Sequence, residues 1–135
     1  MTNEQRRQSN RLRWALRVNA LSSASFGLLG LAIPGRVVDL LDAGNVTIVR
    51  LVAAGLLGFA AFVAWISTRD VEVLHRESLM ISIGDLGWVA ASVVLVAIGV
   101  FSTGGIVATL LVAALVGDFA AAQLWTRSRL ALAGT

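Results

Sequence analysis

The sequence predicts an all-α fold, a four-helix transmembrane bundle forming one integral membrane domain over residues 1–135. Three observations predict it. The chain is 57% hydrophobic and 14% charged, against roughly 45–50% apolar and about 25% charged in an average soluble domain. Its apolar residues gather into four runs, each longer than the ~17 residues a membrane span requires. Spans of about 20 residues would use roughly 80 of the 135 positions, too many to leave a second, soluble domain. The arginines, finally, sit at the ends of these runs and favour one side.

The first run covers residues 14–34, and Pro34-Gly35 ends it because proline has no N–H to continue a helix. Residues 1–13 read as a basic tail. Such a tail also opens a secretory signal, but this run is long and no small-x-small cleavage site follows it, so it is expected to be a retained span. Arg6-Arg7 lacks the apolar continuation of a twin-arginine signal and reads as orientation charge. Residues 35–46 form an outer loop. Within it, Arg36-Val37-Val38-Asp39-Leu40-Leu41-Asp42 sets apolar and acidic residues at helical spacing, with Gly44-Asn45 as the stop, which predicts a short interfacial helix. Asn45-Val46-Thr47 matches a glycosylation sequon but abuts the membrane and is set aside. The second run is 47–67. A charged loop follows, in which His75 reads as solvated. The third run is 78–101, closed by Ser102-Thr103-Gly104-Gly105 as a tight turn, and the fourth is 105–125.

Direction follows from charge. Arg6, Arg7, Arg11, Arg13, Arg17, Arg69, Arg76, Arg127 and Arg129 fall on one side; Arg36 and Arg50 fall on the other. By the positive-inside rule both termini are expected in the cytoplasm, with the chain a multi-pass protein of the plasma membrane. Trp14, Trp65 and Trp125 all lie at that same boundary, where indoles settle. Arg50, about one turn inside the outer boundary, is expected to snorkel to headgroups; an anion or partner on the outer side is its other reading.

Composition excludes several chemistries. With no cysteine there is no disulfide, thiol redox centre or cysteine-ligated metal, and the single histidine rules out a bis-histidine haem. All eleven basic residues are arginine, so no lysine is present to form a Schiff base. The sequence pI is near 11.3, but net charge is only +3 and the arginines lie at membrane edges, so no nucleic-acid partner is expected. No metal, no cofactor and no nucleophile–base pair is predicted, and the expectation is a protein that is not an enzyme.

An offset of 60 lays Leu51–Trp65 on Leu111–Trp125. Eight pairs are identical: Leu51/Leu111, Val52/Val112, Ala53/Ala113, Ala54/Ala114, Phe59/Phe119, Ala60/Ala120, Ala61/Ala121 and Trp65/Trp125. Arg69 and Arg129 match just beyond. The first and third runs align through Ala24-Ser25 and Ala91-Ser92. The pattern is that of two duplicated helical hairpins in parallel orientation, packing pseudo-symmetrically about an axis along the membrane normal. The spacings Ser23-x-x-x-Gly27, Ala54-x-x-x-Gly58, Ala60-x-x-x-Ala64 and Gly117-x-x-x-Ala121 permit close helix approach, within the chain or against a second copy or another membrane protein.

Polar residues at membrane depth carry the functional signal. Asp85 lies seven residues beyond Ser78 and Asp118 seven before Trp125, so at ~1.5 Å per residue both sit about 10 Å inside one boundary. Arg17 and Asn19 reach a slightly shallower level, Gln123 is near in depth, and Asp85, Trp88 and Ser92 share a helix face. The candidate site is therefore a cluster of Arg17, Asn19, Asp85, Trp88 and Asp118, with Arg17 expected to pair with one aspartate. Asp118 stands where the matching helix has Gly58, so the hairpin itself does not need it.

The stretch from Pro34-Gly35 to Val49-Arg50-Leu51, opening a helix with Gly55 and Gly58, resembles small bacterial four-helix membrane proteins of the DoxX-like type. The resemblance covers most of the chain by layout and implies a bacterial inner-membrane protein with no settled activity. The first run lacks the membrane glutamate of small multidrug exporters, and the signatures of dual-topology fluoride channels are absent. Two readings stand: a non-catalytic accessory or scaffold subunit whose polar cluster fastens the bundle, and a proton-coupled small-solute carrier or channel using Asp85 and Asp118.

Overall fold

In the computed structural model, which describes residues 1–133, the chain folds as α1 (Asn3–Ala32), α2 (Pro34–Leu41), α3 (Val46–Ile66), α4 (Val71–Ala97) and α5 (Thr103–Ala133). Four of these, α1, α3, α4 and α5, are long and apolar enough to cross a membrane, and no strand occurs among the described residues. The architecture is that of an all-helical membrane protein.

Several boundaries differ from the hydropathy reading, each for a local reason. The basic tail is helical from Asn3, because Thr2 and Gln5 form a reciprocal capping box and Gln8 donates to Glu4 one turn on. The loop after the second span is short, and His75 lies inside α4. The turn between the last two spans falls at residues 98–102, where Gly99 takes φ +74°. Ser102 then starts α5: its Oγ accepts the Gly105 N–H at 3.1 Å. Asn45 is likewise a start, its side chain accepting from the Thr47 N–H at 2.8 Å, while Asp42 closes α2 in the left-handed region. The 35–46 segment carries a short helix, α2, with Pro34 at its first turn.

Contacts at the two ends fix the direction of each helix. At one end Arg13 Nη1 donates to the Ser67 carbonyl (2.7 Å) and Arg127 Nε to the His75 carbonyl (2.9 Å). At the other, Ser102 Oγ donates to the Leu40 carbonyl (3.2 Å), and Gly105 approaches α2 so closely that a Cβ would stand 2.7 Å from the Leu41 oxygen. The long helices therefore alternate in direction, and the start of α1 lies at the same end as the end of α5.

Packing groups the long helices into two hairpins, α1/α3 and α4/α5. They meet along α1 and α5, whereas α3 and α4 touch only briefly, so the interface between the halves is one-sided rather than pseudo-symmetric. An apolar core of Leu12, Leu16, Ala20, Val63, Ile66, Leu74, Ile81 and Leu130 fills the end where the termini lie. Toward the other end α1 and α3 come closest at Gly27 and Gly30, where an added Cβ would fall 2.8 Å from Leu57 Cγ and 2.7 Å from Ala53 Cβ. Lipid offers no hydrophobic drive between helices, so small residues that admit close contact supply the attraction. Ala54 and Gly58, by contrast, face outward.

Along the second helix of each hairpin, burial repeats at the offset of 60. Ala53/Ala113, Ala60/Ala120, Val63/Gln123 and Ile66/Thr126 are buried, and Leu51/Leu111 and Trp65/Trp125 are exposed. The Arg69 guanidinium sits over Trp65, 4.1 Å from the ring centroid, and Arg129 over Trp125 at 5.4 Å. Along the first helices, buried positions correspond at an offset of 62 rather than through Ala24-Ser25 and Ala91-Ser92. Leu12, Leu16, Asn19, Ala20, Ser23 and Gly30 match Leu74, Ser78, Ile81, Ser82, Asp85 and Ser92.

Candidate functional site

Three helices bring a continuous polar network into the interior. Asn19 on α1, Asp85 on α4 and Gln123 on α5 are 1%, 4% and 0% exposed, which leaves them dependent on one another for partners. Asn19 Nδ2 donates to Asp85 Oδ2 at 2.7 Å, and Gln123 Nε2 donates to the same oxygen at 3.2 Å. Ser82 Oγ donates to Gln123 Oε1 (3.3 Å), and Ser23 Oγ to Asn19 Oδ1 (3.3 Å). Every buried side-chain nitrogen and oxygen among the described residues has a hydrogen-bond partner. One carboxyl oxygen thus gathers a donor from each hairpin, since α1 belongs to one half and α5 to the other.

Helix geometry explains who enters this network. On α4 the buried line runs Ser78, Ile81, Ser82, Asp85, Ser92, so Asp85 shares its face with serines three and seven residues away. On α1, Asn19 and Ser23 are one turn apart and point together. Of the five residues expected to cluster, Asn19 and Asp85 meet. Arg17 does not: two positions from Asn19, it projects from the opposite side of α1 and is exposed. Asp118 is exposed on α5, five residues from buried Gln123. Trp88 is 38% exposed, its bulk turned out of the line that holds Asp85 and Ser92.

In place of the expected salt bridge of Arg17 with an aspartate, Asp85 accepts from the side-chain amides of Asn19 and Gln123. The one ion pair among the described residues joins Arg76 and Glu77 at 2.7 Å on the surface. Gln123, Ser82 and Ser23 complete the network and lie outside the expected cluster; the signal for Gln123 is its depth, and for the serines the i, i+3 and i, i+4 spacing to Asp85 and Asn19. Arg50 is exposed near the start of α3, at the end opposite the termini. No group of three or more histidine, cysteine or acidic side chains is placed to hold a metal among the described residues. One surface groove lies between the start of α1 and the end of α5 and another between α1 and α3, and neither is lined by Asp85.

No protein-family model matches this chain, and comparison with curated proteins and with solved structures likewise finds no match.

Proposed function

We propose that this chain is a non-catalytic membrane scaffold or accessory subunit, built from two hairpins of common origin in parallel orientation and latched by one buried carboxyl group. The observation that carries this reading is the closure of the network: Asp85 takes donors from Asn19 and Gln123, and each amide is in turn engaged by a serine. A polar group in hydrocarbon is costly unless partnered, and a satisfied buried network fixes which surfaces join and in what register. The repeated Trp65–Arg69 and Trp125–Arg129 pairs support the common origin. The arginine distribution supports cytoplasmic termini and the plasma membrane. Resemblance to DoxX-like proteins accords with the layout and assigns no activity.

The second reading, a proton-coupled carrier, rests on the presence of a carboxyl group at membrane depth. Against a carrier using both aspartates stands their separation: Asp85 is interior and Asp118 faces outward.

One preparation tests both. In proteoliposomes across about pH 5 to 8, where folded proteins are generally most stable, the wild type is expected to move no protons, and Asp85→Asn to melt within a few degrees of it. Proton flux in the wild type that disappears in a normally melting Asp85→Asn variant would overturn the scaffold in favour of the carrier. Because the chain has no cysteine, cytoplasmic termini predict that Asn45→Cys labels from outside intact cells and Ser128→Cys only once the membrane is opened.

A further inference from the structure

We propose that the groove between α1 and α3 is a binding site for an anionic phospholipid, with its phosphate at Arg17 and the upper part of one acyl chain against Ala20, Ala24, Leu57, Ala61 and Ala64. The groove measures about 430 Å³ and is almost wholly apolar apart from Arg17. Its cation stands at one end. Arg13 donates to the Ser67 carbonyl just past the end of α3, and Arg17 follows Arg13 by one helical turn, so Arg17 lies near the level of Ala64 and Trp65. From there the lining runs seven residues along each helix, Arg17 to Ala24 and Ala64 to Leu57. At ~1.5 Å per residue that is about 10 Å, a third of the ~30 Å hydrocarbon core.

Charge complementarity selects the occupant. A second helix would place its own apolar side chains here but would leave the Arg17 guanidinium without an anion at the interface. An anionic lipid supplies phosphate to the guanidinium and hydrocarbon to the alanines at once. Arg13, half-buried at the same mouth, uses one N–H on Ser67 and keeps others for the headgroup. The slot is also particular to this hairpin. At the offsets that relate the two halves, Leu79, Leu86 and Leu124 stand where Arg17, Ala24 and Ala64 stand here, so the other hairpin has neither the cation nor the space.

The test is competition between phosphatidylglycerol and phosphatidylcholine on the purified full chain, with retained lipid counted by native mass spectrometry. The wild type should prefer phosphatidylglycerol. Arg17→Gln should lower that preference about five-fold, the share of one arginine beside an anionic headgroup. Ala64→Leu, which installs the side chain already accommodated at Leu124, should melt normally and reduce retention of both lipids. Arg7→Gln, outside the groove, should change neither. Absence of a preference in the wild type, an equal loss in Arg7→Gln, or unchanged retention in Ala64→Leu would each overturn the proposal. So would a wild type that proves dimeric and an Ala64→Leu variant that is monomeric with lipid retention intact, which would assign the groove to a second copy.

Discussion

In the α1/α3 hairpin the helices meet through glycine, whereas the corresponding positions of the α4/α5 hairpin carry larger or polar side chains. Gly27 and Gly30 press against Leu57 and Ala53; at the offset of 62 their places on α4 are taken by Val89 and Ser92. Ser23 corresponds to Asp85, Ala20 to Ser82 and, on the second helices, Val63 to Gln123, all of them buried. One architecture therefore coheres in two ways. The first hairpin uses close backbone approach and dispersion, and the second buries a carboxyl group that accepts from the Gln123 amide, itself held by Ser82. The halves join where these differ, because Asn19 of the first hairpin is a donor to Asp85 of the second. A single polar contact of this kind fixes register, as a buried asparagine does in a coiled coil.

Removing that carboxyl should give the largest effect. Asp85→Leu strands Asn19 Nδ2 and Gln123 Nε2 together, and an unsatisfied buried donor costs about 1–3 kcal/mol, so a loss of roughly 2–4 kcal/mol is expected in reversible unfolding from detergent micelles. Converting the network as a whole, with Asn19→Leu and Gln123→Val added, should restore most of it, since apolar replacement of an entire buried polar set is often neutral. An equal loss in the single and triple variants would break the view that donors without acceptors are the cause.

Next comes the glycine contact. Gly30→Leu drives a side chain into Ala53 and should cost about 1–3 kcal/mol, the usual range for overpacking. Gly58→Leu, on an outward face with nothing within 4 Å of the added Cβ, is the control and should stay within about 0.5 kcal/mol. If both lose stability equally, close approach is not what distinguishes the first hairpin.

How much of this was legible in the sequence depends on the length scale. Four long apolar helices, the α2 helix and the common burial pattern of α3 and α5 follow from run length and repetition, because each is averaged over many residues. The helix starts at Thr2 and Ser102 were equally written in local chemistry, but hydropathy alone looks past a polar first turn. Depth groups the candidate residues along the helix axes but does not set which way each one points around its helix. Arg17 and Asn19, two positions apart, stand on opposite sides of one helix and cannot both face the interior. Asp118 and Gln123 on α5 pose the same choice. What no single sequence provides is which member of such a pair turns inward, since that is decided by the neighbouring helix: the Asp85 carboxyl group of α4 accepts from Asn19, and no such partner meets Arg17 among the described residues.

The smallest expected effect sharpens the comparison at its outer surface. Asp118 and Gly58 occupy corresponding outward positions, so one hairpin presents a carboxyl group on its outer surface where the other presents a bare backbone. A carboxyl group this deep is costly to insert, about 2.5–3.5 kcal/mol at the centre of the membrane and less toward the interface. That cost applies equally when the helices are associated and when they have separated within the bilayer, because the residue faces lipid in both states. Asp118→Ala should therefore leave the unfolding free energy within about 0.5 kcal/mol of wild type, the usual range for surface changes. The measurement is unfolding in bicelles or bilayers, where the separated helices remain in lipid. A loss above about 1 kcal/mol would mean that Asp118 has a partner in the folded state. With the described residues of its own chain offering none, that partner would have to come from a second copy, and the polar burden of the α4/α5 hairpin would then extend from the interior latch to an interface between protomers.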